Sequence, residues 1–420
     1  MSILAAAIDI EYTGEFLLHL PLSACPGRAE HMIVRQFLQW MRTAPAAERG
    51  EATAALARAY LYSDLSSDDR AAAEGALIML LDDPSPLVRA DLARALAFSE
   101  NSPPAVILGL AADQPEIASW VLEHSPLLLD ADLVDAVATG EARTQTAIAN
   151  RSDLPCSVAA AIVEVGCAEA CLVLIENPTA SIAAFSLDRL IARFGHLAVI
   201  REAMLQREDL PAITRHVLVA KLSRTLVGFV AAREWLEEDR AQRIAKEACE
   251  KATVTLAAVS PECEIRPLIR HLRESGELNS GLILRALLSG NVEMFVEALA
   301  ELSDMPLARV SALVHDRGSF GLRAIFNAAG LPASTYPAFR EAVEALREGG
   351  FDPGGTTRLK RRMVERVLTR CADESHLDIA PLLTLLRRFA AEAAREEARM
   401  FCDELVADAV ADEAPQRAAA

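Results

Sequence analysis

The chain has 420 residues, 52% of them hydrophobic and 5% aromatic, with a formal net charge of −18. That apolar content excludes global disorder, and the acidic excess works against binding to duplex nucleic acid or an anionic membrane. The bulk is Ala and Leu, and small unbranched side chains favour close-packed helices over sheets.

Residues 1–27, broken by Pro21, Pro26 and Gly27, read as an irregular segment. Met1 to Asp9 carry no basic n-region, so no signal peptide is expected. Helices are predicted over 28–42, 46–62 and 67–82, the third opening on the capping-box-like Ser66-Ser67-Asp68-Asp69. The next unit sets the pattern for the rest of the array. An apolar helix ends at Leu80-Leu81, Asp83-Pro84-Ser85-Pro86 turns the chain, and Leu87, Val88, Leu92, Ala95 and Leu96 recur at helical spacing. Prolines are tolerated in the first turn of a helix, and Asp83 is expected to act as the N-cap. Degenerate copies lie at Asp113-Gln114-Pro115, Thr139-Gly140-Glu141 and Asn177-Pro178, with Ser119 and Ala183 where the first unit has Arg89. Recurrence on this scale predicts a solenoid of helices, each of about 8–16 residues and unable to stand alone.

The expected repeat array covers 28–227, and its turns are repeated from residue 83 onward. From 228 a less regular helical region continues or caps it. One long helix is predicted from Ala232 to Ala258, then helices at 264–274, 278–289, 292–301, 306–314, 319–329 and 334–348. Gly349-Gly350-Phe351-Asp352-Pro353-Gly354-Gly355 reads as a linker, followed by C-terminal helices at 356–372 and 376–410, and a disordered tail at 412–420. No stretch approaches the roughly 18 apolar residues of a membrane span.

The interval from Asp83 to Arg89 resembles the HEAT repeat, which implies that the two residues reach neighbouring repeats as a polar ladder; the missing arginines at 119 and 183 leave its continuity open. Leu65-Ser66-Ser67-Asp68-Asp69-Arg70, the turn at 80–89, Asp113-Gln114-Pro115-Glu116-Ile117, Leu122-Glu123-His124-Ser125-Pro126-Leu127-Leu128 and Gly321 to Pro332 together resemble a bacterial family, domain of unknown function 2336, over residues 45–335. The resemblance implies an all-α superhelix. It implies no activity and no site residues.

Chemistry-bearing residues are sparse. Eight cysteines, at 25, 156, 167, 171, 249, 263, 371 and 402, form no CxxC pair and no disulfide spacing, as in a reduced cytoplasmic protein. Cys167 and Cys171 share a predicted helix face near Glu164 and could be drawn as a metal site, but read more simply as buried small hydrophobes. His124 suits a helix C-terminus. Trp120 and Trp235 are core residues in the plain reading, and Trp120 is a candidate anchor for a partner in the sharp one. Arg358, Lys360, Arg361 and Arg362 form the one dense basic cluster, expected to pair with the protein's own acidic surface, an acidic partner or a phosphate. No cofactor or metal is expected. The expected function is a non-enzymatic scaffold or adaptor for an unknown protein partner. The alternatives are a nucleic-acid binder or DNA glycosylase-like enzyme, which needs a basic groove, and a small-ligand sensor, which needs a closed apolar pocket.

Overall fold

The structure, a computed structural model, describes residues 37, 39–316, 319–349, 359–372 and 379–418, with the backbone alone for 319, 349 and 406–418. The expected irregular segment 1–27, most of the helix at 28–42 and the linker beyond Gly349 lie outside the described residues. The protein is all-α, with no strand among the described residues, and no described helix is long and apolar enough to cross a membrane. The chain forms two compact units, Met1–Glu208 and Asp209–Ala420.

Unit 1 contains α1 (Ala46–Tyr62), α2 (Ser67–Met79), α3 (Pro86–Leu96), α4 (Pro104–Ala111), α5 (Pro115–His124), α6 (Asp130–Thr139), α7 (Ala142–Ala149), α8 (Cys156–Val165), α9 (Ala168–Glu176), α10 (Ala184–Phe194) and α11 (Ala198–Gln206). Ser66 caps α2 as expected, its hydroxyl accepting the Asp69 N–H at 3.2 Å. Prolines open α3, α4 and α5 at the first helical turn. Each odd-numbered helix packs on the next odd-numbered one, from α1 through α11, while α6, α8 and α10 form a second layer beside them. This alternation is a solenoid stack. Val88, Leu92, Ile107, Val121, Ile148, Ile162 and Leu174 lie fully buried in it.

Polar contacts set the register of the stack. Arg49 on α1 clasps Asp83 with two hydrogen bonds, at 3.0 and 2.8 Å, and Arg89 on α3 clasps Asp113 at 2.6 and 3.1 Å. The expected cap is thereby corrected. Ser85 is the N-cap residue of α3 and makes no side-chain cap bond, whereas Asp83 bridges repeats and accepts the Ser85 N–H at 2.8 Å. With no arginine at 119 or 183, a different clasp takes over. Arg151, just past α7, donates to Leu122 and Ser125 carbonyls at the end of α5, at 2.6 and 2.7 Å. Asn177, just past α9, donates to Ala149 and Arg151 carbonyls at 2.9 and 2.7 Å. Arg207, just past α11, donates to the carbonyls of Ile175, Asn177 and Ala180. In the second layer Arg193 at the end of α10 caps Val163 and Gly166 carbonyls at the end of α8. These are the orphan acceptors of helix C-termini, and a guanidinium suits both their geometry and the dipole.

Unit 2 contains α12 (Ala212–Ala232), α13 (Glu238–Val259), α14 (Glu262–Glu274), α15 (Ser280–Leu288), α16 (Val292–Ser303), α17 (Leu307–His315), α18 (Ser319–Ala328), α19 (Tyr336–Gly349), α20 (Arg361–Ala372) and α21 (Ala380–Ala418). The single helix expected from Ala232 to Ala258 is α13, which starts only at Glu238, after a turn that separates it from α12. The chain breaks because Glu234 adopts φ 55, while Trp235 and Glu234 N–H groups bond Val230 and Ala231 carbonyls. That is a Schellman turn with a non-glycine residue in the left-handed position. The expected change of character at 228 falls inside α12, and α21 carries the backbone to Ala418, into the expected tail. The core holds Phe295, Phe326, Phe339 and Phe389, with Phe339 at 6.0 Å from Phe295 and 5.3 Å from Phe326. Arg285, 2% exposed, meets Glu392 of α21 through two bonds at 2.8 and 2.9 Å and lies over the Phe389 ring.

The clasps make two outcomes measurable. Arg151→Ala should lower stability by about 2 kcal/mol, the order of a few hydrogen bonds to a charged donor, and Arg151→Lys should recover only part because an ammonium cannot fork; urea melts measure both. Asp83→Asn keeps a good capping side chain but loses the ion pair, so it should lower the urea midpoint near neutral pH, and an unchanged midpoint would return Asp83 to a capping role. Burial pushes the Asp83 carboxyl up, but bonds from Arg49 and the Ser85 N–H, with the charges of Arg49 and Arg89, hold it below its ordinary value. Its contribution is therefore full above about pH 4 and is lost as pH falls through the depressed value, where the two proteins should converge.

Candidate functional site

Trp120 lies half-buried on α5, at the wall of a groove of about 740 Å³ formed with α7 and α9 and lined also by Glu123, Arg143, Thr146 and Asn150. Helical spacing puts His124 one turn further on, its ring 6.3 Å from Trp120. Phe98, just past α3 and 66% exposed, stacks on His124 at 4.4 Å. The Arg94 guanidinium covers Trp120 at 5.3 Å from the ring centre. Phe98, His124 and Trp120 thus make one aromatic strip across α3 and α5, with Phe98 open to solvent. Trp235 is 62% exposed in the α12–α13 turn, edge-on to Phe229, with Arg233 over both rings.

The basic cluster is dispersed. Arg358 lies outside the described residues. Lys360 lies beside Gly290, and its backbone N–H bonds the Leu288 carbonyl at 3.3 Å. Arg361 bridges Glu365 at 2.8 Å and Glu397 at 3.0 Å, and those bonds raise its pKa. Arg362 is exposed beside it.

Cys167 and Cys171 do not converge on a metal position. Cys167 is the N-cap of α9, its sulfur accepting the Ala170 N–H, while Cys171 points inward and donates to the Ile162 carbonyl at 3.6 Å. Glu164 is engaged by Arg189 at 3.0 Å.

A convergence that sequence reasoning missed sits in unit 2. His216 of α12, Cys249 of α13 and Glu277, just past α14, bring one nitrogen, one sulfur and one carboxylate oxygen within 4.8 Å of one another. His216 is 2% exposed; its Nε2 is 2.9 Å from Glu277 Oε2 and its Nδ1 3.0 Å from Thr253 Oγ1. Burial holds the imidazole below the ordinary histidine range against the pull of Glu277, and burial followed by the charges of Glu277 and Glu250 pushes the Cys249 thiol up. The group adjoins a cavity of about 450 Å³ whose wall includes Arg224, Lys246, Cys249 and Glu277. Only the end of a helix at 274 was expected locally. Nothing in sequence spacing ties it to residues on two other helices.

Thiol reactivity should follow burial. The Cys171 thiol is pushed up to about 11 by burial, and Cys371 is also buried, whereas Cys156, Cys263 and Cys402 are exposed. Alkylation of the native protein at pH 8, read by peptide mass spectrometry, should mark the three exposed thiols and spare Cys171 and Cys371; equal rates would contradict this packing.

No curated protein and no solved structure matches the chain. The family described as "Uncharacterised protein conserved in bacteria (DUF2336)" matches over residues 117–376. The match begins within α5, after the first turns that carry the resemblance, and runs past residue 335, where the resemblance stops. It covers more than half of the sequence, and the chain therefore belongs to this uncharacterised bacterial family.

Proposed function

We propose that this protein is a non-enzymatic adaptor of the bacterial cytoplasm. In this reading it docks a segment of a protein partner on unit 1, with Phe98 and Trp120 gripping one large apolar side chain. The observation that carries this reading is the Phe98–His124–Trp120 strip at the edge of the α5–α7–α9 groove. Stacked helices offer an extended surface for such a segment, and tryptophan is enriched at binding hot spots. Arg94 and Arg143, about half exposed and paired with surface acids, add polar contacts at the rim that cost little to exchange. The net charge of −18 and the pairing of Arg361 with two glutamates weigh against a nucleic-acid partner.

The test compares proteins retained from the native cell by the tagged wild-type chain and by a Phe98→Ala/Trp120→Ala variant with an unchanged melting temperature. A partner retained by the first should be lost by the second, with a fall in affinity of about 30-fold or more for a hot spot. Equal retention by both rejects this surface. Micromolar binding to duplex DNA at physiological salt rejects the adaptor reading in favour of the nucleic-acid one.

A further inference from the structure

The contact between His216 Nε2 and Glu277 Oε2 is one that either a proton or a metal ion can bridge. The Thr253 hydroxyl lies 2.8 Å from the Cys249 carbonyl and 3.0 Å from His216 Nδ1, and with its hydrogen on that carbonyl it accepts from Nδ1. In that arrangement Nδ1 carries the hydrogen, and in the neutral ring Nε2 presents a lone pair. That lone pair faces a carboxylate oxygen of Glu277 at 2.9 Å, with the Cys249 sulfur beside them. The three atoms, one nitrogen, one sulfur and one oxygen, lie within 4.8 Å of one another beside an imidazole that is 2% exposed.

We propose that His216 Nε2, Cys249 Sγ and Glu277 Oε2 form a zinc site whose fourth coordination position opens into the adjoining cavity. The donor set of one imidazole, one thiolate and one carboxylate fits a borderline metal of tetrahedral preference, and three protein ligands leave one place for water. Thr253 fills the orienting role that a second-shell acceptor plays for a metal-bound histidine. The fold supplies the third ligand through backbone geometry. Gly276 at φ 72 lets α14 end in a Schellman turn, with the Glu277 N–H bonded to the Leu272 carbonyl at 2.8 Å. Tetrahedral bonds of about 2 Å set ligand atoms roughly 3.3 Å apart, a small opening from the present 2.9 Å. Glu277, 47% exposed and beyond the helix end, can make that adjustment without disturbing the core.

The experiment titrates the full chain with zinc against a chromophoric chelator, and with cobalt(II) followed by absorbance. One metal per chain should bind at submicromolar Kd, and the cobalt form should show the charge-transfer band of thiolate ligation. Cys249→Ser should abolish that band, Glu277→Gln should weaken binding at least tenfold, and Thr253→Val should weaken it about 10–100-fold. Circular dichroism of the metal-free variants keeps loss of fold separate from loss of a ligand, and a Cys263→Ser/Cys402→Ser variant should bind as the wild type does. Absence of stoichiometric metal, or a thiolate band and affinity that survive Cys249→Ser and Glu277→Gln, overturns the site.

Discussion

Short helices carry a disproportionate load of unsatisfied backbone. Each helix leaves four carbonyls without an intrahelical partner at its C-terminus, and α3 to α11 are only eight to eleven residues long. A third or more of every helix's acceptors must therefore be satisfied from outside. Arg151, Asn177 and Arg207 do this along one layer and Arg193 along the other, each reaching from just past or within the last turn of its own helix to the end of the neighbour in the same layer. Unit 2 repeats the device, with Arg273 on the Glu301 carbonyl and Arg347 on those of Val314 and Asp316. One contact thus satisfies the backbone, opposes the helix dipole and fixes how far one helix can slide along the next. Apolar burial holds the stack together, but burial alone is non-directional and leaves register free.

Much of this was legible. The fold class follows from composition and from apolar spacing, and α1 has the bounds that its pattern predicts. Proline-opened turns placed α3 and α5, because a residue without an N–H has few other places to go in a helix. The polar ladder was legible only for its first rungs, where acid meets base. The later rungs use backbone carbonyls, which have no letter in the sequence, so absent arginines at 119 and 183 suggested a gap that the structure fills by other means. Glu234 was missed for a related reason: a glycine would have announced the left-handed turn, and a glutamate does not. The His216, Cys249 and Glu277 group is the extreme case, since two members come from different helices, the third from the turn after another, and the residue beside the histidine is a threonine with no signature of its own.

The two units hold their polar groups differently. In unit 1 the paired charges lie near the surface and mostly between successive repeats. In unit 2 the Arg285 guanidinium sits inside a core rich in phenylalanine, neutralised by Glu392 of α21, while Lys251 bonds Glu396 and Arg388 meets Glu247 along the same helix. Leu382, Leu386 and Phe389 bury the apolar face of α21 in the same core. The family match ends at residue 376, before α21 begins, yet the packing of unit 2 does not end there.

That difference has a consequence for the order in which the chain can acquire structure during synthesis. The side-chain clasps of unit 1 join residues 24 to 34 positions apart, so each new pair of helices finds its partner already made and can close on it as it emerges. The ties of α21 reach back 107 residues to Arg285 and 145 to Lys251. Loop closure over such distances comes late and slowly. Unit 2 must wait, with a bare guanidinium and an open apolar face, until its last helix has left the ribosome, while the clasps of unit 1 close over short stretches of chain.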